Sequence, residues 1–168
     1  MGEECMQKCE EDMQKEAKYQ EFLPELKTLI SGESDEVSVL ANISAAIKET
    51  FGFFWVGFYL VKSEQYMHLG PFQGSTACYK IPFGRGVCGS SWKEQTTHVV
   101  PDVEEFPGHI ACSSLSRSEI VVPIFSSDRR VVGVLDIDST ELATFDDIDR
   151  RYLEQVCQLI TETLYTVD

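Results

Sequence analysis

The stretch "SEIVVPIFSSDRRVVGVLDIDS", residues 118–139, decides the fold. Two runs of mostly β-branched and apolar residues, SEIVVPIF and RVVGVLDID, flank a short polar break, which is the pattern of a β-hairpin. Side chains alternate across a strand, so Val132, Val134, Asp136 and Asp138 share one face. A tight turn on Ser127 and Asp128 pairs positions whose numbers sum to 255 and sets Glu119 opposite Asp136. Opposed residues point to the same side, so three carboxylates crowd one patch. Mutual repulsion and burial raise at least one of their pKa values, and such a cluster can hold and donate a proton near neutrality. A solvated strand end, where Asp is common, remains an open reading. A hard-cation site is a third, weakened by the lack of a clear cage of oxygen ligands.

Working outward, "FFWVGFYLVK" and "QYMHLGPFQG" predict two further strands joined near Ser63 and Glu64, and "ACYKIPF" and "THVV" two short ones. Trp55, Gly57 and Tyr59 fall on one strand face. The glycine leaves a gap between two rings, which reads either as an aromatic-walled pocket or as ordinary core packing. The segment "GRGVCGSSWKEQ" predicts a loop entering a short helix, and residues 101–117 a long loop. Helices are expected from about Gln14 to Ile30, with Phe22, Leu26, Leu29 and Ile30 on one side and Pro24 as a possible break. A second runs from about Asp35 to Glu49, capped by Ser34, with Val37, Leu40, Ile43, Ala46 and Ile47 as its stripe. The last runs from about Phe145 to Thr166, capped by Thr144, with Ile148, Tyr152, Leu153, Val156, Cys157, Ile160 and Leu164 buried. Strands adjacent in sequence without intervening helices imply an antiparallel sheet. The expectation is a single α+β domain over residues 14–168: about six strands with N- and C-terminal helices packed on one face. Residues 1–13 are expected to form a flexible acidic tail.

A chain of 168 residues suits one core. Its net charge of −14 disfavours nucleic acid and anionic membranes as partners. The opening residues lack the basic-then-apolar order of a signal peptide, and no apolar run is long enough to span a bilayer. The expected location is the cytoplasm.

Six cysteines are present. In a reducing compartment they are more often core, metal or redox groups than permanent staples. Cys157 lies on the apolar stripe of the last helix and reads as core; Cys5 and Cys9, in the polar tail, read as incidental thiols. Cys78, Cys88 and Cys112 fall in or beside irregular segments. Cys88 stands near a helix start, where backbone N–H groups would lower its pKa. Cys112 sits in the long loop, outside the apolar run that follows it. The three would allow thiol attack and resolution through a disulfide. Zinc held by Cys78, Cys88, Cys112 and His109 is the rival reading, although the cysteine spacings of 10 and 24 match no finger pattern. His68 and His98 read as ordinary strand residues.

Six segments, "WVGFYL", "LGPFQG", "ACYKIPFGRGVCG", "FPGHIAC", "SEIVVPI" and "GVLDIDS", occur in an order that resembles the free methionine-(R)-sulfoxide reductases, a family with the GAF-domain fold. The resemblance covers Trp55 to about Ser139. It implies thiol-dependent reduction of free L-methionine (R)-sulfoxide to L-methionine. A cysteine sulfenic acid and an intramolecular disulfide would form, with no bound cofactor and with electrons from NADPH through thioredoxin reductase and thioredoxin. It puts the working thiols at Cys112, Cys78 and Cys88: Cys112 attacking, Cys78 the principal resolving partner, Cys88 able to join the relay or to attack in its place. The acidic positions fall on Glu119, Asp136 and Asp138, and the aromatic cage on Trp55 and Tyr59, which would take the sulfoxide methyl between them. Ser113 stands where Asp is common in the family. A homodimer touching through the terminal helices is implied by likeness to GAF proteins. A non-catalytic GAF module that senses a small molecule is the alternative, because the fold by itself does not specify an enzyme.

Overall fold

One sheet organises the chain, and its two faces are covered differently. The structure, a computed structural model, describes residues 1–168. The strands are β1 (Trp55–Val61), β2 (Tyr66–Gln73), β3 (Lys80–Pro82), β4 (His98–Val100), β5 (Ser118–Phe125) and β6 (Val131–Ser139); the helices are α1 (Gly2–Ile30), α2 (Glu36–Phe51), α3 (Gly86–Glu94) and α4 (Asp147–Leu164). All strand pairings are antiparallel, in the order β3-β2-β1-β6-β5-β4. Residues of one parity (Val56, Phe58, Leu60, Ile120, Val122, Ile124, Leu135, Ile137) form the main core with α1, α2 and α4. Residues of the other parity (Trp55, Tyr59, Val121, Val134) form a smaller cluster with Met67, Ile81, Val100, Val103 and the α3 residues Val87, Cys88 and Trp92. Period-2 alternation thus supplies two cores from one set of strands. No helix is long and apolar enough to cross a membrane.

The hairpin register departs from the expected one. Glu119 pairs with Asp138, and Asp136 with Val121. The turn holds three residues rather than two: Ser126 N–H donates to Arg130 C=O, and Arg129 adopts a left-handed φ of 70°. A bulge between Ile124 and Phe125 shifts the ladder by one more residue. Two single-residue shifts together restore parity, so Glu119, Asp136 and Asp138 still share a face; either alone would have sent Glu119 to the opposite one.

Helix boundaries also differ. α1 starts at Gly2, ahead of the expected Gln14, so residues 2–13 are its first turns. Glu3 and Glu4 in that first turn complement the helix dipole, and Glu4–Lys8 and Glu11–Lys15 are spaced for i,i+4 pairing. Pro24 lies inside the helix without ending it, because Tyr19, Phe22, Leu26 and Ile30 are buried on both sides of it. Leu29, expected in that stripe, is exposed, as is Val37 of α2. The cap of α2 is Asp35, not Ser34: its carboxylate accepts the Ser38 N–H. α4 is capped by Asp146 rather than Thr144, in a reciprocal capping box with Asp149.

Candidate active site

The residues of opposite parity to the main core lead directly to a cleft on the α3 side of the sheet. Across β1, β6 and β5 the register aligns Trp55, Asp138 and Glu119 in one row, and Gly57, Asp136 and Val121 in the next. The carboxylates therefore lie between an aromatic strand and the strand that follows the long loop. Glu119 and Asp136 are buried, and Asp138 is half-buried. α3 closes over them from above. It can approach β3 closely because Gly89 has no side chain: a Cβ there would sit 2.5 Å from the Pro82 carbonyl oxygen. Gly86, at φ +64°, opens the helix in a conformation that other residues rarely adopt. The cleft has about 570 Å³ of empty space counted out through its open mouth.

Electrostatics separate the three acids. Burial, then the neighbouring Asp136 and Asp138 charges, hold Glu119 well above the ordinary carboxylate range. Burial and Asp136 do the same to Asp138. Asp136 is also raised by burial, but contacts with Glu119 and the Cys88 thiol pull it back. Asp136 Oδ1 is buried and meets no N–H or hydroxyl donor. A proton shared from a neighbouring carboxyl, or the Cys88 S–H, would satisfy it.

Cys78 and Cys112 are joined in a disulfide, with Cα atoms 5.5 Å apart, and Cys112 lines the cleft. The bond removes both sulfurs from the four-ligand zinc set considered above. The remaining group with metal-ligand spacing is Cys88, Glu119 and Asp136, whose ligand atoms lie within 4.8 Å of one another. Cys88 is not an activated thiol. Although it sits in the first turn of α3, burial and the three carboxylates push its pKa well above that of an ordinary thiol. Desolvation and like charge outweigh the helix terminus here. Cys157 is buried on α4, and Cys5 and Cys9 are exposed on α1.

Trp55 and Tyr59 both line the cleft, their ring centroids 6.2 Å apart and tilted by 23°. The gap expected over Gly57 is filled: the Trp55 ring folds across it and stacks on Phe72. A methyl held between two ring faces needs about 7–8 Å, two carbon–carbon contacts, so the rings form a wall and not a slot. Each ring is fixed by a hydrogen bond, Trp55 Nε1 to the Ser75 carbonyl (2.9 Å) and Tyr59 Oη to the Cys78 carbonyl (2.9 Å). The second of these ties the wall to the disulfide. His109, considered above only as a metal ligand, and Arg85, not singled out from the sequence, also line the cleft. Burial lowers the His109 pKa, although Asp136 opposes this. The signal for Arg85 was its place as the residue before a glycine-opened helix. No side chain caps α3, and its internal bonding begins with Gly89 N–H to Arg85 C=O. The N–H groups of Gly86, Val87 and Cys88 are thus left without intrahelical partners beside the cleft.

Comparison with known proteins agrees with this architecture. The family model described as a GAF domain matches residues 33–164. The chain is 40% identical over 157 residues to the free methionine-R-sulfoxide reductase of Escherichia coli, covering 93% of this chain and 94% of that protein. The crystal structure of free methionine-R-sulfoxide reductase from Neisseria meningitidis in complex with its substrate superposes with a TM-score of 0.86, at 53% identity over 89% of each chain. This chain belongs to the free methionine-R-sulfoxide reductase family. A 53% identical relative, GAF domain-containing protein A of Dictyostelium discoideum, covers 87% of this chain and 92% of its own length. Family membership extends beyond the six motif segments: the matched region takes in α2 and α4, the helices that cover the opposite face of the sheet.

Proposed function

We propose that this protein reduces free L-methionine (R)-sulfoxide to L-methionine, with Cys112 as nucleophile and the Glu119–Asp136–Asp138 cluster as proton source. The observation that carries the reading is the Cys78–Cys112 disulfide, whose Cys112 lines a cleft floored by proton-retaining acids. A sulfoxide has a basic oxygen, and thiolate attack at its sulfur needs that oxygen protonated or strongly hydrogen-bonded. General acid help of this kind is typically worth about 10²–10⁴-fold. The Cys112 thiolate attacks sulfur, the oxygen takes a proton from the cluster and passes to Cys112, and methionine leaves with Cys112 as sulfenic acid. The Cys78 thiol then condenses with it, releasing water and forming the disulfide. A thioredoxin-like dithiol, recharged from NADPH through its reductase, returns both sulfurs to thiols. The high pKa and burial of Cys88 argue against it as the attacking group.

The substrate methyl packs against the Trp55–Tyr59 wall. Its ammonium faces the acids, and its carboxylate meets the uncapped α3 terminus and Arg85, a favourable position for an anion. The loop that carries Cys112 is a poorer place for the carboxylate. In the Cys112 loop the N–H groups of His109, Cys112 and Leu115 already donate to Phe106, Ile110 and Ser113. Recognition of both charged ends excludes methionine sulfoxide inside a peptide. We place the activity in the cytoplasm, where the dithiol reductant resides, and infer a homodimer formed through the terminal helices.

The test is thioredoxin-coupled NADPH oxidation with each sulfoxide epimer, free and in a peptide. Only the free R form should be turned over, and Cys112→Ser should lose at least 10³-fold, the scale on which removing a nucleophile acts. Binding of the sulfoxide without turnover by the parent protein would point to the sensor reading instead.

A further inference from the structure

The disulfide joins Cys78 to Cys112, yet a third thiol, Cys88, remains buried in the same cleft as a free group. Its sulfur and the carboxylate oxygens of Glu119 and Asp136 lie within 4.8 Å of one another, and Cys88 is among the neighbours that pull the Asp136 pKa back down. The groups facing Asp136 are few: Cys88 from α3, Glu119 from β5, Asp138 from its own strand, Tyr59 from β1 and His109 from the long loop. Tyr59 spends its hydroxyl proton on the Cys78 carbonyl. His109 is only partly buried and is held toward its neutral form. Asp136 Oδ1 has no conventional donor. Cys88 therefore offers Asp136 a proton-bearing atom from outside the acid cluster, within 4.8 Å of its carboxylate.

Resting on the acid-assisted reading above, we propose that Cys88 is a positioning residue. Its S–H donates to Asp136, holds that carboxylate as the acceptor of the cluster, and leaves the shared proton on Glu119 and Asp138. The proton is then localised on the two acids that form a direct cross-strand pair, next to Trp55 and the cleft. This role needs a thiol that stays protonated, so burial among carboxylates, which would disable a nucleophile or a relay thiol, suits it. No electron passes through Cys88, and no bond to its sulfur forms or breaks.

The experiment compares Cys88→Ser, which keeps a donor, with Cys88→Ala, which does not, using a small dithiol as reductant across pH. Cys88→Ala should lower kcat roughly ten- to hundredfold, the scale of one hydrogen bond to a charged group. It should also move the alkaline limb of kcat to higher pH, because the deprotonated cluster has lost a donor. Cys88→Ser should recover most of both. A Cys88→Ala variant with the parent's rate overturns the proposal. So does a Ser variant as impaired as Ala, which is the outcome a disulfide relay predicts, or a lower plateau with an unmoved limb. Infrared difference spectra of the parent against Cys88→Ser give a readout independent of turnover and of the Ala variant's folding. The Cys88 S–H stretch should be displaced downward relative to that of the other buried thiol, Cys157, and should shift on Asp136→Asn. An S–H band at the position of a free thiol sinks the proposal. Absence of R-sulfoxide turnover in the parent would instead count against the underlying reading.

Discussion

Two groups of acids, each with at least one buried carboxylate, sit on opposite sides of the molecule and behave oppositely. Where α1 meets α4, Asp149 is 2% exposed, yet every oxygen has a donor. Lys15 Nζ lies 2.9 Å from Oδ2, the Asp146 N–H donates to the same oxygen at 2.9 Å, and the Tyr19 hydroxyl donates to Oδ1 at 2.6 Å. On the α3 side, Glu119, Asp136 and Asp138 have no lysine or arginine ion partner, and Asp136 Oδ1 has no ordinary donor. Burial acts on both groups; donors decide the outcome. The Lys15 cation holds Asp146 below its usual range despite the opposing effect of burial, whereas burial and mutual repulsion hold Glu119 and Asp138 well above theirs. A satisfied cluster joins two helices, while an unsatisfied one is pushed toward holding protons.

The sharpest way to break this contrast is Glu119→Gln. If the trio stores a catalytic proton, the nearly isosteric amide should lower kcat by about 10²–10³-fold while substrate binding survives. Removing a crowded acid should leave unfolding free energy unchanged or raised. Parent-like turnover would mean that the unsatisfied cluster is only a structural cost.

Lys15→Met probes the other side, with its effect on stability alone. Removing one partner of a fully buried ion pair costs about 3–5 kcal/mol, and the partial exposure of the Lys15 side chain brings the expectation to roughly 2 kcal/mol. Denaturant unfolding should detect that loss while kcat stays at the parent value. A fall in kcat without a fall in stability would erase the distinction between the two clusters.

The sequence foretold the two clusters unequally, for physical reasons. Strand parity survives a register error of two residues, though not of one, so Glu119, Asp136 and Asp138 are legible as one patch despite the shifted pairing. Side-chain shape over a glycine has no such protection. The gap at Gly57 closed because the Trp55 ring turned over it, which no alternation rule encodes. Cys88 departs from its expected low pKa because helix position is local information, while the carboxylates that raise its pKa arrive from β5 and β6. The cysteine roles came from resemblance, and spacing alone left attack by Cys112 or Cys88 open. The Lys15–Asp149 contact joins residues far apart in the chain, and both lay on helices read only for their apolar stripes. Its one visible trace, Asp146 and Asp149 near the start of α4, was obscured by Thr144 as the expected cap.

The smallest expected effect carries a sign, and the two clusters give opposite ones. Asp146→Asn keeps an N-cap acceptor, since Asn caps helices about as well as Asp, and removes only the charge facing Lys15. Asp146 has a depressed folded-state pKa, so its charge stabilises the fold above the unfolded-state value of about 4. That contribution is lost as pH falls through the folded value. The parent's advantage over Asp146→Asn should therefore be full at neutrality and vanish on acidification. The group is half-exposed and screened, which puts the size at about 0.5 kcal/mol. Glu119 has the reverse sign. Its raised folded-state pKa means that stability relative to Glu119→Gln is greatest below about pH 4 and declines as pH rises toward the folded value. Urea unfolding of the parent and both variants over a pH series measures the two slopes side by side. Slopes of the same sign, or an Asp146 difference that does not change with pH, would show that a nearby cation is not what separates the two clusters.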